Sequence, residues 1–214
     1  MINYYVLDTE TTGLKADYHE IVQISLIRYS DKFQSSVNIK PMFPNRASPD
    51  VLRIINKTRN ELLKGKPKED AVKYIHDLIL DDGVQPKDRC IIAHNYSFDQ
   101  RFCHSLWSSV NLEFPADMWL CTQAFAKKYA KHIGLEKYAK QQNQPKAKFG
   151  LDMCLKAASI PPKSGQHNAV IDTQNTDAFV KFLFDQKLNH VDLIKRKPHN
   201  LNPSVTKDLD ITDF

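Results

Sequence analysis

The chain has 214 residues, 42% of them hydrophobic, which is enough for one domain with a substantial core. Its net charge is +5, and no apolar run approaches the roughly 18 residues of a membrane span, so we expect no membrane partner and a cytoplasmic location. The four cysteines have neither zinc-ligand nor disulfide spacing, and Gly65-Lys66-Pro67 lacks the upstream glycine of a phosphate-binding loop, which argues against an NTPase.

Five strands and seven helical segments are predicted along the chain. Apolar runs predict strands at 4–7, 21–29, 33–39, 90–93 and 118–121, of which the second and third form a hairpin. Helical patterns are present at 49–55, 59–63, 68–80, 97–110, from 121 to near 134, at 150–159 and at 168–187. Three strands followed by strand–helix alternation predict a mixed α/β sheet with helices on its faces.

A change in composition near residue 190 predicts two parts. Residues 1–190 form the predicted folded domain, whereas residues 191–214 change from basic to acidic and lose the apolar period, as in a flexible C-terminal tail. The last seven residues, 208–214, alternate acids with apolar side chains and end in Phe214. They are a candidate binding segment for a protein partner, although simple disorder is the alternative.

Positive charge is concentrated between Lys127 and Lys148, where seven lysines accompany a single acid, Glu136. This segment carries a charge of +6, so the rest of the chain is near −1. A basic patch on a nearly neutral body favours a polyanion such as nucleic acid as a partner. A solvated helix surface without a partner is the alternative interpretation.

Four acids lie where the apolar pattern predicts the interior. Asp8 and Glu10 are two residues apart at the end of the first strand, so their side chains share a face. Asp99 and Asp172 each begin a helix and fall on its apolar stripe. Four converging carboxylates repel one another unless cations lie between them. Oxygen ligands favour Mg²⁺ or Mn²⁺ over zinc.

These acids fall within three short motifs. They are Asp8-Thr9-Glu10-Thr11-Thr12-Gly13-Leu14, Ala93-His94-Asn95-Tyr96-Ser97-Phe98-Asp99 and His167-Asn168-Ala169-Val170-Ile171-Asp172. In this order they resemble the motifs of the DEDDh 3′→5′ exonucleases, a family that includes the proofreading epsilon subunit of bacterial replicative polymerase, RNase T and oligoribonuclease. The resemblance covers roughly residues 3–186. It departs at Ile55-Asn56-Lys57-Thr58, where relatives often carry a glycine-containing turn that touches the terminal nucleotide.

The resemblance implies a ribonuclease H-like fold with a mixed five-stranded sheet flanked by helices. It also implies two Mg²⁺ or Mn²⁺ ions held by Asp8, Glu10, Asp99 and Asp172, with His167 as the base that deprotonates water. The substrate-binding residues implied are Glu10, Thr11, Thr12, Leu14, Asn95, Phe98 and His167. Leu14 would be an apolar wedge beside the last base and Phe98 a wall of the base pocket, with ordinary core packing as the alternative for both.

The implied reaction releases nucleoside 5′-monophosphates from single-stranded 3′ ends, with DNA favoured as the substrate. The motifs do not separate DNA from RNA, because one side chain is enough to contact a 2′-hydroxyl, so an exoribonuclease that trims RNA 3′ ends is the first alternative. The second alternative is an inactivated nuclease fold that only binds nucleic acid. Such a protein would lack an acid or the histidine, whereas all five residues are present.

Overall fold

A mixed six-stranded sheet of order β3-β2-β1-β4-β5-β6 lies at the centre of the computed structural model, which describes residues 2–143, 149–165 and 167–196. The strands are β1 (Asn3–Thr11), β2 (Ile21–Arg28), β3 (Gln34–Asn38), β4 (Arg89–Ala93), β5 (Met118–Cys121) and β6 (Lys195–Arg196). β1 pairs antiparallel with β2 and parallel with β4. The predicted fold class, a mixed α/β sheet flanked by helices, is therefore confirmed.

In the described ranges, eight α-helices accompany the sheet. They are α1 (Pro49–Ile54), α2 (Arg59–Leu62), α3 (Lys68–Leu80), α4 (Tyr96–Ser108), α5 (Thr122–Lys128), α6 (Leu135–Gln141), α7 (Leu151–Ala157) and α8 (Ala169–Asp185). The single helix predicted from 121 to near 134 was wrong, because α5 ends at Lys128 and a separate helix, α6, follows. Gly134 precedes α6 with a φ of +78°, a left-handed conformation that glycine adopts at no steric cost.

Side chains that alternate along β1 pack against two different helical layers. Leu7 packs in one hydrophobic cluster with Phe102 of α4, whereas its neighbour Val6 packs in another with Val180 of α8. Burying each such side chain contributes about 1.5–3 kcal/mol, and a one-residue slip would exchange the two faces, so the register of β1 is strongly fixed. Positions 8 and 10 follow Val6 in the alternation and therefore face the α8 layer.

The sheet has one strand more than the five expected, because Lys195–Arg196 pairs with β5. Both residues are exposed and have no apolar alternation, so their sequence carries no strand pattern. Leu193 and Ile194, immediately before them, pack against buried side chains of the sheet and α8. Residues 191–196, assigned to the tail, thus contact the domain. Residues 197–214, including the candidate partner-binding segment, lie outside the described residues.

The four cysteines are buried and unpaired, in agreement with their spacing. Burial raises the pKa of the Cys90 and Cys154 thiols to about 12, so these side chains are protonated and unreactive at neutral pH. In the part of the chain that the structure describes, no helix combines the length and apolar character needed to cross a membrane.

Candidate active site

Asp8 and Glu10 lie at the carboxyl end of β1 and face the same helical layer. In the ladder with β2 they stand opposite Ser25 and Gln23. The register shifts between Glu10 and Thr11, immediately after the second acid. Irregularities of this kind bend a strand and re-aim its side chains, and they are common beside active sites.

Asp99 reaches the same strand end from the opposite helical layer. It lies in the first turn of α4, which begins after Asn95 adopts a left-handed conformation with a φ of +65°. The Thr9 hydroxyl, which points toward the α4 side of β1, donates a hydrogen bond of 2.8 Å to Asp99 Oδ1. Asp99 is only 3% exposed, as its position on the apolar stripe predicted. Thr9 therefore connects the first strand to the third acid.

Asp172 and His167 come from α8 and the loop that precedes it. Asp172 Oδ2 accepts a hydrogen bond of 2.9 Å from the backbone N–H of His167. His167 is exposed and has a φ of +61°, a left-handed conformation that costs a non-glycine residue roughly 1–2 kcal/mol. The bond to Asp172 stabilises this conformation. Metal-ligating atoms of Glu10, His167 and Asp172 all lie within 4.8 Å of one another.

His94 belongs to the second motif, and nothing in the sequence marked it as a residue of this site. Its Nδ1 is 2.9 Å from the Thr122 hydroxyl and its Nε2 is 2.8 Å from the Phe149 carbonyl oxygen. A carbonyl oxygen only accepts, so Nε2 carries the hydrogen and Nδ1 accepts from Thr122. Burial lowers the pKa of His94, which favours this neutral form. Both ring nitrogens are occupied, so His94 acts here as a structural connection.

A cleft of about 300 Å³ opens beside these residues. It is lined in part by Asp8, His94, Leu151, Leu155, His167 and Asp172. The cleft is thus lined by two of the four acids, by the candidate base and by apolar side chains of α7. This combination of a shaped cavity and convergent polar groups is typical of a binding site for a substrate.

Burial makes all four carboxylates resist ionisation. Burial, followed by the charges of the other three acids, holds the pKa of Asp8 well above its ordinary value. Burial raises the pKa of Glu10 to about 8, with further contributions from Asp172 and Asp99. Burial raises the pKa of Asp99 to about 7, although the hydrogen bond from Thr9 lowers it. Burial also raises the pKa of Asp172, although the hydrogen bond from the His167 N–H lowers it.

This set of acids fits divalent cations. Within residues 2–143, 149–165 and 167–196, no lysine or arginine forms an ion pair with any of the four. The repulsion within a buried acidic cluster that has no ion-pair partner is relieved by protons or by bound cations. Carboxylate oxygens suit Mg²⁺ or Mn²⁺. His167 also lies within reach of this set, although the resemblance implies a role as a base and not as a ligand.

The raised pKa values predict that the protein without metal loses stability as pH increases. The folded chain keeps the Glu10 proton up to about pH 8, whereas an unfolded glutamate releases its proton near the ordinary pKa of 4.5. The stabilisation is therefore complete below about pH 4.5 and is lost as pH rises toward 8. We expect the melting temperature in chelator to fall between pH 5 and 8 and Mg²⁺ to oppose that fall. A melting temperature that rises with pH over this range in chelator would contradict the raised pKa values of these acids.

The predicted substrate-binding residues Leu14, Asn95 and Phe98 differ in accessibility. Leu14 is 78% exposed directly after the first motif, so its side chain is available to a ligand. Asn95 is also exposed. Phe98 is half-buried, and its ring lies 4.8 Å from that of Phe102. Phe98 therefore contributes to the core and also leaves part of its ring accessible.

The hydroxyls of Thr11 and Thr12 are used inside the protein. Thr11 donates a hydrogen bond of 2.6 Å to the Gly13 carbonyl, and the Thr12 hydroxyl accepts one of 2.9 Å from the Glu20 N–H. A Cβ on Gly13 would lie 2.3 Å from the ring of His19, so any other residue here would displace that ring. These hydroxyls hold the shape of the turn after β1. The contribution of Thr11 and Thr12 to substrate binding stays a prediction.

Lys57 is a cation near the site that lies outside the three motifs. It follows Asn56, whose φ is +50°, in the segment where the sequence departs from its relatives. Its charge lowers the pKa of Glu10, and its Nζ is 3.4 Å from Asn38 Oδ1. In the sequence, the departure from the family pattern at residues 55–58 was the only signal that pointed to Lys57.

A cluster of acids at the end of the first strand of a mixed α/β sheet is the arrangement expected of a DEDDh-type nuclease. A family model described as Exonuclease (RNase T) matches residues 5–179. The chain therefore belongs to this exonuclease family.

Two relatives and one solved structure illustrate the likeness. The 3′-5′ exonuclease DinG of Staphylococcus haemolyticus is 29% identical over 112 residues, which are 52% of this chain and 12% of that protein. DNA polymerase III subunit epsilon of Treponema pallidum is 26% identical over 140 residues, 65% of this chain and 62% of that protein. The chain thus spans less than two thirds of each relative. Escherichia coli Exonuclease I, solved with a dT13 oligonucleotide, shares the fold with a TM-score of 0.71. The match has 18% sequence identity and covers 87% of this chain and 43% of the Exonuclease I chain.

Proposed function

We propose that this protein is a 3′→5′ exonuclease that hydrolyses single-stranded nucleic acid, preferably DNA, and releases nucleoside 5′-monophosphates. The observation that carries the proposal is the meeting of acids from both helical layers with His167 at one strand end. Membership of the exonuclease family supports it. The same fold in Exonuclease I was solved with a DNA oligonucleotide, which supports DNA as the substrate. A cytoplasmic location stays a prediction.

The four acids, Asp8, Glu10, Asp99 and Asp172, would hold two Mg²⁺ or Mn²⁺ ions. Bound divalent cations supply stabilisation of the negative charge that develops on the phosphate during hydrolysis. The protein's own contribution is to fix the acids before substrate arrives, through the Thr9 bond to Asp99 and the rigid pairing of β1 with β2 and β4. Such preorganisation removes the cost of arranging the site during the reaction.

His167 would accept the proton of the water that attacks phosphorus. The bond between phosphorus and the O3′ of the preceding nucleotide then breaks, and that oxygen takes a proton from solvent. His167 is exposed and is positioned through its backbone bond to Asp172, so its ring can approach the scissile phosphate from the cleft. Leu14 and Phe98 would contact the terminal base, while Glu10 and the Thr11 backbone would contact the 3′-hydroxyl.

The basic segment would bind phosphates upstream of the cleavage site. Its described lysines are all exposed, on α5, on α6 and between them: Lys127, Lys128, Lys131, Lys137 and Lys140. Lys146 and Lys148 lie outside the described residues. The segment begins beside Thr122 and is followed by Phe149, and His94 bonds to both, so it is connected to the cleft at its two ends.

Replacing Lys131, Lys137 and Lys140 by Gln should weaken strand binding at low salt and flatten its salt dependence. Each lost phosphate contact reduces the slope of log K against log salt by about 0.7 for a single strand, so a reduction of about 2 is expected. Turnover of a dinucleotide should not change. Lys73 and Lys181, which pair with acids on their own helices, provide the control substitutions. An unchanged slope would favour a simple solvated surface.

The proposed function is tested with matched end-labelled oligonucleotides: single-stranded DNA, paired DNA, DNA with a 3′ mismatch, and RNA. We expect mononucleotides to appear from the 3′ end, only with Mg²⁺ or Mn²⁺, and fastest from single-stranded DNA. Faster loss of RNA would show that the protein is an exoribonuclease instead. Equal degradation in excess chelator would contradict the metal-dependent mechanism.

A further inference from the structure

An exposed aromatic surface surrounds Arg46. The Arg46 guanidinium carbon lies 4.3 Å from the ring centroid of Tyr18 and 3.9 Å from that of Phe43. Tyr18 is 49% exposed, Phe43 45% and the adjacent Met42 65%. We call these four residues the Arg46 platform. Exposed apolar groups that are clustered in this way mark interaction sites more often than scattered ones do.

The Arg46 platform is held in place by hydrogen bonds. The two oxygens of the Glu20 carboxylate accept the backbone N–H groups of Met42 and Phe43, each at 2.8 Å. Arg46 donates a hydrogen bond of 2.6 Å to the Tyr18 carbonyl. The aromatic side chains are therefore presented on a fixed backbone, which reduces the entropy lost when a ligand binds.

The Arg46 platform lies at the same edge of the sheet as the candidate active site. Thr11 pairs with Ile21, so the loop between β1 and β2, which carries Tyr18, extends from the strand end that bears the acids. Asn38 pairs with Gln23, so the chain that follows β3 toward Phe43 leaves the sheet at that same edge. The exposed Leu14 lies in the same β1–β2 loop as Tyr18.

The chemistry of this surface matches a single nucleic-acid strand. Bases stack on exposed aromatic rings and on arginine, and a guanidinium also binds phosphate. Lys40 and Lys68 line the cavity adjoining the platform together with one exposed acid, Asp17, while the Glu20 carboxylate is already occupied by backbone N–H groups. With Arg46, the cationic side chains outnumber the acidic ones. The available charge therefore favours a polyanion.

We propose that the Arg46 platform binds the substrate strand upstream of the 3′-terminal nucleotide, with bases stacking on Tyr18 and Phe43 and a phosphate on Arg46. This inference rests on the proposed exonuclease function and adds a contact remote from the reacting atoms. Its consequence is that strands long enough to reach the platform bind more tightly than a dinucleotide.

The test compares KM and kcat for oligothymidylates of 2 to 20 nucleotides in wild type, Tyr18→Ala and Phe43→Ala. Stacking of one base corresponds to about a tenfold effect on binding, so each variant should raise KM about tenfold for long strands. Dinucleotide KM and all kcat values should stay at the wild-type level. Phe33→Ala is the matched control, because Phe33 is 44% exposed and lies 5.5 Å from Arg28. Arg28 pairs with Tyr5, at the opposite edge of the sheet.

Three results would overturn the inference. Unchanged KM for long strands would show that the platform lies off the strand path and would leave a protein partner as its occupant. An equal rise in KM for the dinucleotide and for long strands would indicate damage to the site itself. A rise of the same size in Phe33→Ala would indicate a general loss of stability. If wild type hydrolyses no oligonucleotide at all, the proposed function fails instead, so the two failures are distinguishable.

Discussion

Replacing His167 by Ala is expected to lower kcat by about 10²–10⁴-fold without changing the Mn²⁺ concentration that gives half-maximal activity. A positioned general base contributes a factor of this size, and no solvent group replaces it at the same distance. His167 is exposed, so its removal should leave the melting temperature near that of wild type. The measurement is a Mn²⁺ titration of single-turnover hydrolysis of a labelled strand.

Asp172→Asn is the matched control for this experiment. The amide oxygen of Asn can still accept the His167 N–H, so the loop is retained while a negatively charged ligand is lost. Higher Mn²⁺ should therefore partly restore Asp172→Asn and leave His167→Ala slow. Restoration of His167→Ala by Mn²⁺ would show that the ring is a metal ligand, as its position within 4.8 Å of the Glu10 and Asp172 oxygens permits.

Replacing Asp8 by Ala should abolish hydrolysis and leave the metal-free protein as stable as wild type or more stable. Asp8 is the acid whose pKa is raised by all three others, so its removal relieves repulsion throughout the cluster. Wild type should gain melting temperature with Mg²⁺, because a cation that binds only the folded state stabilises it, and Asp8→Ala should lose most of that gain. Differential scanning fluorimetry with and without chelator measures both effects.

Asp17 provides a comparison for Asp8, because it is an exposed acid in the loop that follows β1. Asp17→Ala should retain hydrolysis and the Mg²⁺-dependent rise in melting temperature. Persistent hydrolysis in Asp8→Ala would mean that the Asp8 carboxylate is dispensable for the reaction. A large loss of stability in chelator would mean that the Asp8 carboxylate stabilises the fold, contrary to its raised pKa.

Local patterns were sufficient for much of the fold and for the burial of one candidate acid. The helix predicted at 68–80 and the strand predicted at 118–121 have those bounds in the structure, because each has a strong apolar period and distinct end signals. The apolar stripe of α4 predicted the burial of Asp99. The three motifs in order predicted the family.

Contacts between distant segments could not be predicted in this way. The hydroxyl of Thr9 meets a residue 90 positions away, and His94 bonds to partners 28 and 55 positions away. No period in a window of a few residues contains such pairs. The burial of Thr12 likewise depends on the return of the chain at Glu20, whose N–H donates a hydrogen bond to the Thr12 hydroxyl.

The assembly of the acids from both helical layers also governs when a growing chain can act. Synthesis makes Asp8 in the first strand early and Asp172 in the last described helix late, with Asp99 between them. A chain interrupted before the loop that leads into α8 lacks both His167 and Asp172, and one in which α4 has not docked lacks the bond from Thr9 to Asp99. If these residues act as proposed, an unfinished chain cannot cut the nucleic acid around it, and activity begins only after both layers have closed on β1.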